Sequence, residues 1–334
     1  MTYRKVYIYP NIARQRMGSQ NPYVEDLKQA LSDNGFRIEA PPAQKAFVDL
    51  LSKGLRHHTV VLNWIEDIPS RRMGFVQTFL LTGYLRMLKL LGVKLIWIKH
   101  NRLSHERQGL WLKKYLHGVL MRRADHIITH ARHTGLPDSP KLLYLHHPNK
   151  LDLGAFLPAP EAEPSIDFLI WGSIFPYKGV LEFLEYVSTH EDWRRYRIRI
   201  IGKCTDAGYW QAMEACRTPN IVMTNQFVEE QELHKLFAQS RFILFTYRKE
   251  SILSSGVLID SLIAGRRIIA PDCGAFADMA ETNGFVSVYQ EFADIARIYE
   301  AEYDNYLLDK EALTSFVLQN SWDKMGQRLK KISI

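Results

Sequence analysis

Short apolar runs alternate with amphipathic ones along nearly the whole chain. In the first half KVYIYP, FRIEA, TVVLNW, KLIWIKH, HIITH and KLLYLHH are short and rich in Val, Ile and aromatic residues, as strands buried on both faces are. Between them NPYVEDLKQALSDNG has helical spacing, with Pro22 near its first turn and Gly35 at its end. The segment DLGAFLPAPEAEP, residues 152 to 164, has three prolines and no periodicity, which reads as a linker. Beyond it the strand-like runs IDFLIWGS, YRIRIIGK, NIVMTNQ, RFILFTY, RRIIAP and FVSVY alternate with the helix-like runs KGVLEFLEYVS, YWQAMEA, EEQELHKLFAQS and GAFADMAE. Such alternation means βαβ units and parallel sheets. It predicts an α/β chain of two doubly wound, Rossmann-like domains facing across a cleft, residues 1–155 and 156–315, with 316–334 a C-terminal helix packing back on the first domain. Ligands of such sheets bind beyond the carboxyl ends of the strands, where the loops IKHNRLSHE, WGSIFPYKG and RKESILSSG fall.

Composition narrows the class. With 334 residues, two domains are the default, and 46% hydrophobic residues can fill both cores. Three cysteines, Cys204, Cys216 and Cys273, have neither disulfide-framework nor zinc spacing, which fits a reducing cytoplasm. The N-terminus MTYRKVYIYPN shows no secretory signal. Charge is lopsided: residues 1–150 hold 24 Lys and Arg against 10 Asp and Glu, a balance of +14, and the remainder holds 19 against 26, a balance of −7. A basic first domain points to an anionic partner: nucleic acid, an anionic membrane surface or a phosphorylated substrate. Residues 75–98, FVQTFLLTGYLRMLKLLGVKLIWI, are interrupted by Arg86, Lys89, Gly92 and Lys94, and so read as a helix followed by a strand that does not span a bilayer. That helix either lies on a membrane with Phe75, Phe79, Leu80 and Tyr84 toward lipid, or packs on the sheet with its basic edge in water.

Several standard sites are absent: no G-x-G-x-x-G fingerprint, phosphate loop, G-x-S-x-G elbow, H-E-x-x-H pair, C-x-x-C or Asp-x-Asp occurs. Nicotinamide, ATP and zinc chemistry are therefore not expected, nor a carboxylate pair holding a metal on a nucleotide diphosphate. Three features remain in the second domain. In IWGSIFPYKG a strand ends in Gly172 and Ser173, and Lys178 opens the following helix, where it can reach an anion. In RKESILSSGVLIDSLIAG the small residues Ser254, Ser255 and Gly256 start a helix; they cap its first turn or cradle an anion. Asp260 follows one turn later, where a carboxylate can accept ribose hydroxyls.

The order of these features, with FVEEQELHKLFAQSRFILF and SLIAGRRIIAPDCG between and after them, resembles the donor-binding domain of GT-B glycosyltransferases of the family 4 type, glycosyl transferases group 1, over about residues 166 to 290. The resemblance implies that Lys178 and the Ser254, Ser255, Gly256 helix start bind the donor diphosphate beside Gly172 and Ser173, and that Asp260 binds the ribose. IKHNRLSHE and NPYVEDLKQAL are similar to the His-Asn…His-Glu loop and first helix of bacterial polysaccharide transferases. This implies reacting-centre residues His100 and Glu106, and acceptor contacts at Asn21, Tyr23, Asn101 and His105; separately, the basic loop NIARQRMGSQ after the first strand either meets acceptor phosphate through Arg14 and Arg16 or is simply solvated. The pattern departs where the family has arginine, here Ser173, and where it has the first of two glutamates, here Ile252. Arg248 or Lys249 is the expected substitute for the missing charge, and Glu250 for the missing carboxylate.

The expected function is metal-independent, cofactor-free transfer of a hexose from a nucleotide-diphosphate sugar to a lipid-linked or polysaccharide hydroxyl. It would serve exopolysaccharide or lipopolysaccharide synthesis in the cytoplasm, at the inner face of the membrane. A nucleotide-sugar epimerase shares the architecture but gives the basic domain no role. A nucleic-acid-binding protein would interleave exposed aromatics with Lys and Arg, whereas Trp64, Trp97 and Tyr144 lie in apolar strands, so no nucleic-acid partner is expected.

Overall fold

The computed structural model describes residues 4–11, 22–40, 45–100, 110–155, 163–250 and 253–333. The chain divides into two compact units, residues 1–150 with 319–334, and residues 151–318. In the first unit six parallel strands are ordered β2 (Phe36–Ile38), β1 (Arg4–Tyr9), β3 (Thr59–Asn63), β4 (Lys94–Lys99), β5 (His126–Thr129) and β6 (Leu142–Tyr144). Alternate residues of each strand enter opposite layers. From β4, Leu95 and Trp97 pack with α2 (Ala46–Lys53), α3 (Gly74–Leu90) and α4 (Leu110–Arg123). Ile96 and Ile98 pack with α1 (Tyr23–Asp33) and α12 (Trp322–Ser333). The last helix thus returns to the first unit: a Cβ on Gly326 would sit 2.5 Å from the Ala30 carbonyl oxygen, so the two helices nearly touch backbones.

The second unit repeats the plan with the order β12 (Val286–Tyr289), β11 (Ile268–Pro271), β10 (Ser240–Leu244), β7 (Ile166–Trp171), β8 (Ile198–Ile201) and β9 (Ile221–Thr224), again all parallel. The connecting helices are α5 (Val180–Thr189), α6 (Ala207–Ala215), α7 (Glu230–Gln239), the short α8 (Gly256–Ser261), α9 (Gly274–Asn283), α10 (Ala293–Ala301) and α11 (Lys310–Gln319). The chain builds outward from β7 to β9, then crosses to the other side of β7 at β10. The strand order reverses between β7 and β10, a switch point of the kind at whose carboxyl ends doubly wound sheets bind ligands.

Among the described residues no helix is long and apolar enough to cross a membrane. The lipid-facing reading of α3 needs one correction. Phe75, Phe79 and Leu80 are exposed, but Tyr84 is buried and donates its hydroxyl to the Leu50 carbonyl at 2.6 Å. The helix carries apolar residues on both faces, and Tyr84 belongs to the one turned to the sheet.

The first core also encloses a carboxyl. Glu66, in the turn after β3, accepts from Trp97 Nε1 at 3.2 Å through one oxygen, while its other oxygen has no hydrogen-bond partner. Burial pushes its pKa up to about 7 from 4.5. The unfolded chain ionises first, so the penalty is absent at pH 4, grows above pH 4.5 and is complete above pH 7. Glu66→Gln is expected to raise stability by about 3 kcal/mol at pH 8 and to leave it unchanged at pH 4. Urea unfolding at the two pH values measures this, and an effect independent of pH would contradict it.

Candidate functional site

Lys178 stands beyond the carboxyl end of β7, at the switch point. After β7 the chain turns through Gly172 and Ser173, and a single 3-10 turn, Pro176–Lys178, leads into α5. Lys178 N–H donates to the Phe175 carbonyl at 2.9 Å, and its own carbonyl accepts from Thr246 Oγ1 at 2.7 Å. Arg248 N–H donates to the Tyr177 carbonyl at 3.1 Å. These bonds stitch the loop after β7 to the loop after β10. Gly179 makes the stitch possible: its φ is +67°, and a Cβ there would lie 2.2 Å from the Thr246 carbonyl oxygen.

The side chain of Lys178 is only 6% exposed. Its Nζ lies 5.4 Å from the centre of the Tyr247 ring, and among the described residues no carboxylate pairs with it. Burial lowers its pKa to about 8. Its Nζ stands 3.6 Å from where a Gly172 Cβ would be, and the Val257 methyls of α8 are 3.4 Å from that point. The strand end, the ammonium and the first turn of α8 therefore meet at Gly172, where the missing side chain leaves the space between them.

At that first turn Ser255 occupies the cap position, but its hydroxyl makes no capping bond; it faces the Tyr247 hydroxyl at 3.3 Å. Ser254 and Gly256 are half-buried beside it, and Ser173 is half-buried across the loop. Asp260 is exposed one turn further along α8. Arg248 is also exposed, and its guanidinium is paired with Glu182 of α5. Lys249 donates to Gln290 Oε1 at 2.7 Å, and Glu250 is exposed. Neither cation joins Lys178, because each has a local acceptor. Ile252 lies outside the described residues.

In the first unit His100 ends β4 in a buried aromatic nest. Trp64 stacks on it at 4.3 Å, and Tyr23 meets its edge at 4.6 Å. Trp64 adopts left-handed φ 48° to do so. The amide of Asn63 donates to the Tyr9 carbonyl at 3.0 Å, which turns its oxygen toward His100 Nε2, also at 3.0 Å. That nitrogen therefore carries the hydrogen, and Nδ1 carries the lone pair. Burial first, then the neighbouring His130 and His147, hold His100 well below the usual imidazole range, so it is neutral at pH 7.

Tyr23 is a core residue rather than an open contact: it is buried, and its hydroxyl bonds His130 Nε2 at 2.7 Å. Arg14, Arg16, Asn21, Asn101, His105 and Glu106 lie outside the described residues. Thr246, Tyr247, Asn63 and Trp64 escaped the motif reading, although each stands just at or after the carboxyl end of a strand, the position that could have marked it.

Residues 165–300 match the family model described as "Glycosyl transferases group 1". No curated protein matches the chain by sequence. Among solved structures, Anabaena Alr3699/HepE in complex with UDP-glucose is similar over 98% of this chain and 99% of that one, with 11% identity and a TM-score of 0.66. The lipopolysaccharide outer core galactosyltransferase WaaB, in its apo form, covers 98% of each chain at 12% identity and a TM-score of 0.63. AviGT4, a glycosyltransferase involved in avilamycin A biosynthesis, covers 99% of this chain and 97% of that one at 14% identity and a TM-score of 0.57. The two six-stranded parallel sheets with their flanking helices are the GT-B fold. The family match falls within the second unit, the one that holds Lys178 and the start of α8.

Gly179→Ala forces the Lys178 loop away from β10. It is expected to lower stability by about 2 kcal/mol or more, because strain adds to the clash. Thermal unfolding measures the loss, and a melting temperature equal to that of the wild type would contradict the stitching of the two loops.

Proposed function

We propose that the protein moves a hexose from a nucleotide-diphosphate sugar to a hydroxyl of a lipid-linked or polysaccharide acceptor, with no metal or cofactor. The observation that carries this reading is Lys178, a buried ammonium with no carboxylate beside it among the described residues, at the switch point of the second sheet. An anion of high charge density is what such a group lacks, and a diphosphate supplies it. In the reaction the bond between the anomeric carbon and the diphosphate oxygen breaks, and its electron pair leaves with the nucleoside diphosphate. A new bond forms from the acceptor oxygen to that carbon. Lys178, with the backbone N–H groups at the start of α8, offsets the charge developing on the leaving group. Ser254, Ser255 and Gly256 line that helix start, Gly172 and Ser173 allow close approach, and Asp260 takes the ribose. Arg248 contributes only by exchanging Glu182 for phosphate.

His100 serves the reacting centre as a neutral group. Its Nδ1 lone pair accepts the proton of the acceptor hydroxyl if the reaction inverts, or a hydrogen bond from the donor sugar if it retains. Glu106, Asn101, His105, Asn21, Arg14 and Arg16 complete the acceptor side in this reading, while Tyr23 packs against the His100 ring within the core. The three free cysteines accord with a cytoplasmic setting, and the proposed acceptors place the reaction at the inner face of the membrane.

The test is a screen of UDP-, GDP-, dTDP- and ADP-sugars by thermal shift and mass-spectrometric turnover, with Lys178→Met in parallel. One nucleotide class is expected to stabilise the wild type, and the variant to lose roughly tenfold or more of that affinity, since charge-assisted bonds contribute about 1.5–3 kcal/mol. Absence of binding by every class, or equal binding by the variant, would overturn the donor site.

A further inference from the structure

The first unit exposes an apolar surface that donor chemistry does not use. On α3, Phe75, Val76, Phe79, Leu80, Met87 and Leu90 recur at helical spacing on the solvent side, and Leu90 is 88% exposed. The opposite side, with Leu81, Tyr84, Leu85 and Leu88, is already seated on the sheet. Phe75 and Phe79 lie 4.9 Å apart, and each continues onto α4, Phe75 to Trp111 at 6.0 Å and Phe79 to Tyr115 at 5.5 Å. The two helices therefore share one aromatic-rich face. Contiguous exposed surface of this kind marks a docking site.

Charge selects the occupant. Between Asp67 and Asp125 the chain carries twelve Lys and Arg and a single acidic residue, Glu106. Arg71, Arg72, Arg86, Lys114 and Arg122 are exposed, from the turn before α3 to the end of α4. A second copy docking through the same face would set these cations against themselves. An anionic lipid surface accepts both components: aliphatic and aromatic side chains enter the headgroup boundary, Trp and Tyr prefer that depth, and the cations meet lipid phosphate. We propose that the α3–α4 face is an in-plane membrane-docking surface for anionic phospholipid bilayers. It extends the membrane setting of the proposed function, but its evidence and its test are independent of the donor site.

The experiment is flotation of the full-length protein with phosphatidylcholine vesicles and with vesicles of phosphatidylcholine and phosphatidylglycerol at 70:30. Binding is expected only to the anionic vesicles, weakening as salt rises. Each of Arg86→Glu and Lys114→Glu should lower the vesicle partition coefficient by at least about fivefold, from roughly 1 kcal/mol per basic residue near an anionic surface. Phe79→Ser and Leu90→Ser should each lower it by about tenfold. Because these side chains face solvent, the variants should keep the wild-type melting temperature, which shows that they fold, and any nucleotide-induced shift is scored separately. No flotation of the wild type at low salt, or equal flotation by all variants, would overturn the proposal. So would a dimer in sedimentation velocity that Phe79→Ser dissociates, since the face would then join two copies.

Discussion

A primary ammonium held out of water without a counter-ion costs free energy, and at Lys178, which has none among the described residues, the fold sustains that cost. Lowering its pKa from 10.5 to about 8 corresponds to on the order of 3 kcal/mol spent keeping the charge buried. Three constraints hold it there. The switch of strand order between β7 and β10 brings their two following loops together, Gly179 lets the loop after β7 lie against Thr246, and the Tyr247 ring faces the charge. None of these needs a bound ligand to exist. Together they fix the ammonium beside Gly172 and the Tyr247 ring.

The first unit applies the same economy of movement to a neutral group. Asn63 has one orientation because Tyr9 takes its amide hydrogen, and this selects the tautomer of His100. Trp64 adopts a left-handed backbone to stack on the ring, a strain of about 1–3 kcal/mol that the surrounding core sustains. Lysine in one unit stays charged near neutrality and histidine in the other stays uncharged, although burial acts on both. The difference lies in their ordinary pKa values: depression leaves Lys178 at about 8, above neutrality, and carries His100 further below it.

Twelve apolar runs became the twelve strands, because a strand buried on both faces leaves a compact, β-branched signature that needs no partner to be read. The placement of Lys178 after β7 and of Ser254 and Ser255 just before α8 follows the sequence pattern for a related reason, since small residues and a cation at strand ends are local features. What escaped was long-range. Arg248 or Lys249 is the expected phosphate cation in sequence, and the Glu182 that pairs with Arg248 lies 66 residues away, where nothing near Arg248 announces it. Tyr84 was grouped with Phe75 and Phe79 because α3 is apolar all round, and periodicity cannot say which face meets the sheet. The roles of Tyr247 and Asn63 follow from neighbours that only the folded sheet supplies.

The proposed donor site depends on Lys178, a buried cation with no carboxylate partner among the described residues, binding a phosphate anion. Reductive methylation with 13C-formaldehyde and NMR titration of the Lys178 dimethylamine, assigned with Lys178→Arg, test it most directly. The account predicts a midpoint near 8 in the free protein and an upward shift when a nucleoside diphosphate binds. A midpoint near 10.5, the ordinary lysine value, or one that no nucleoside diphosphate moves, would contradict it.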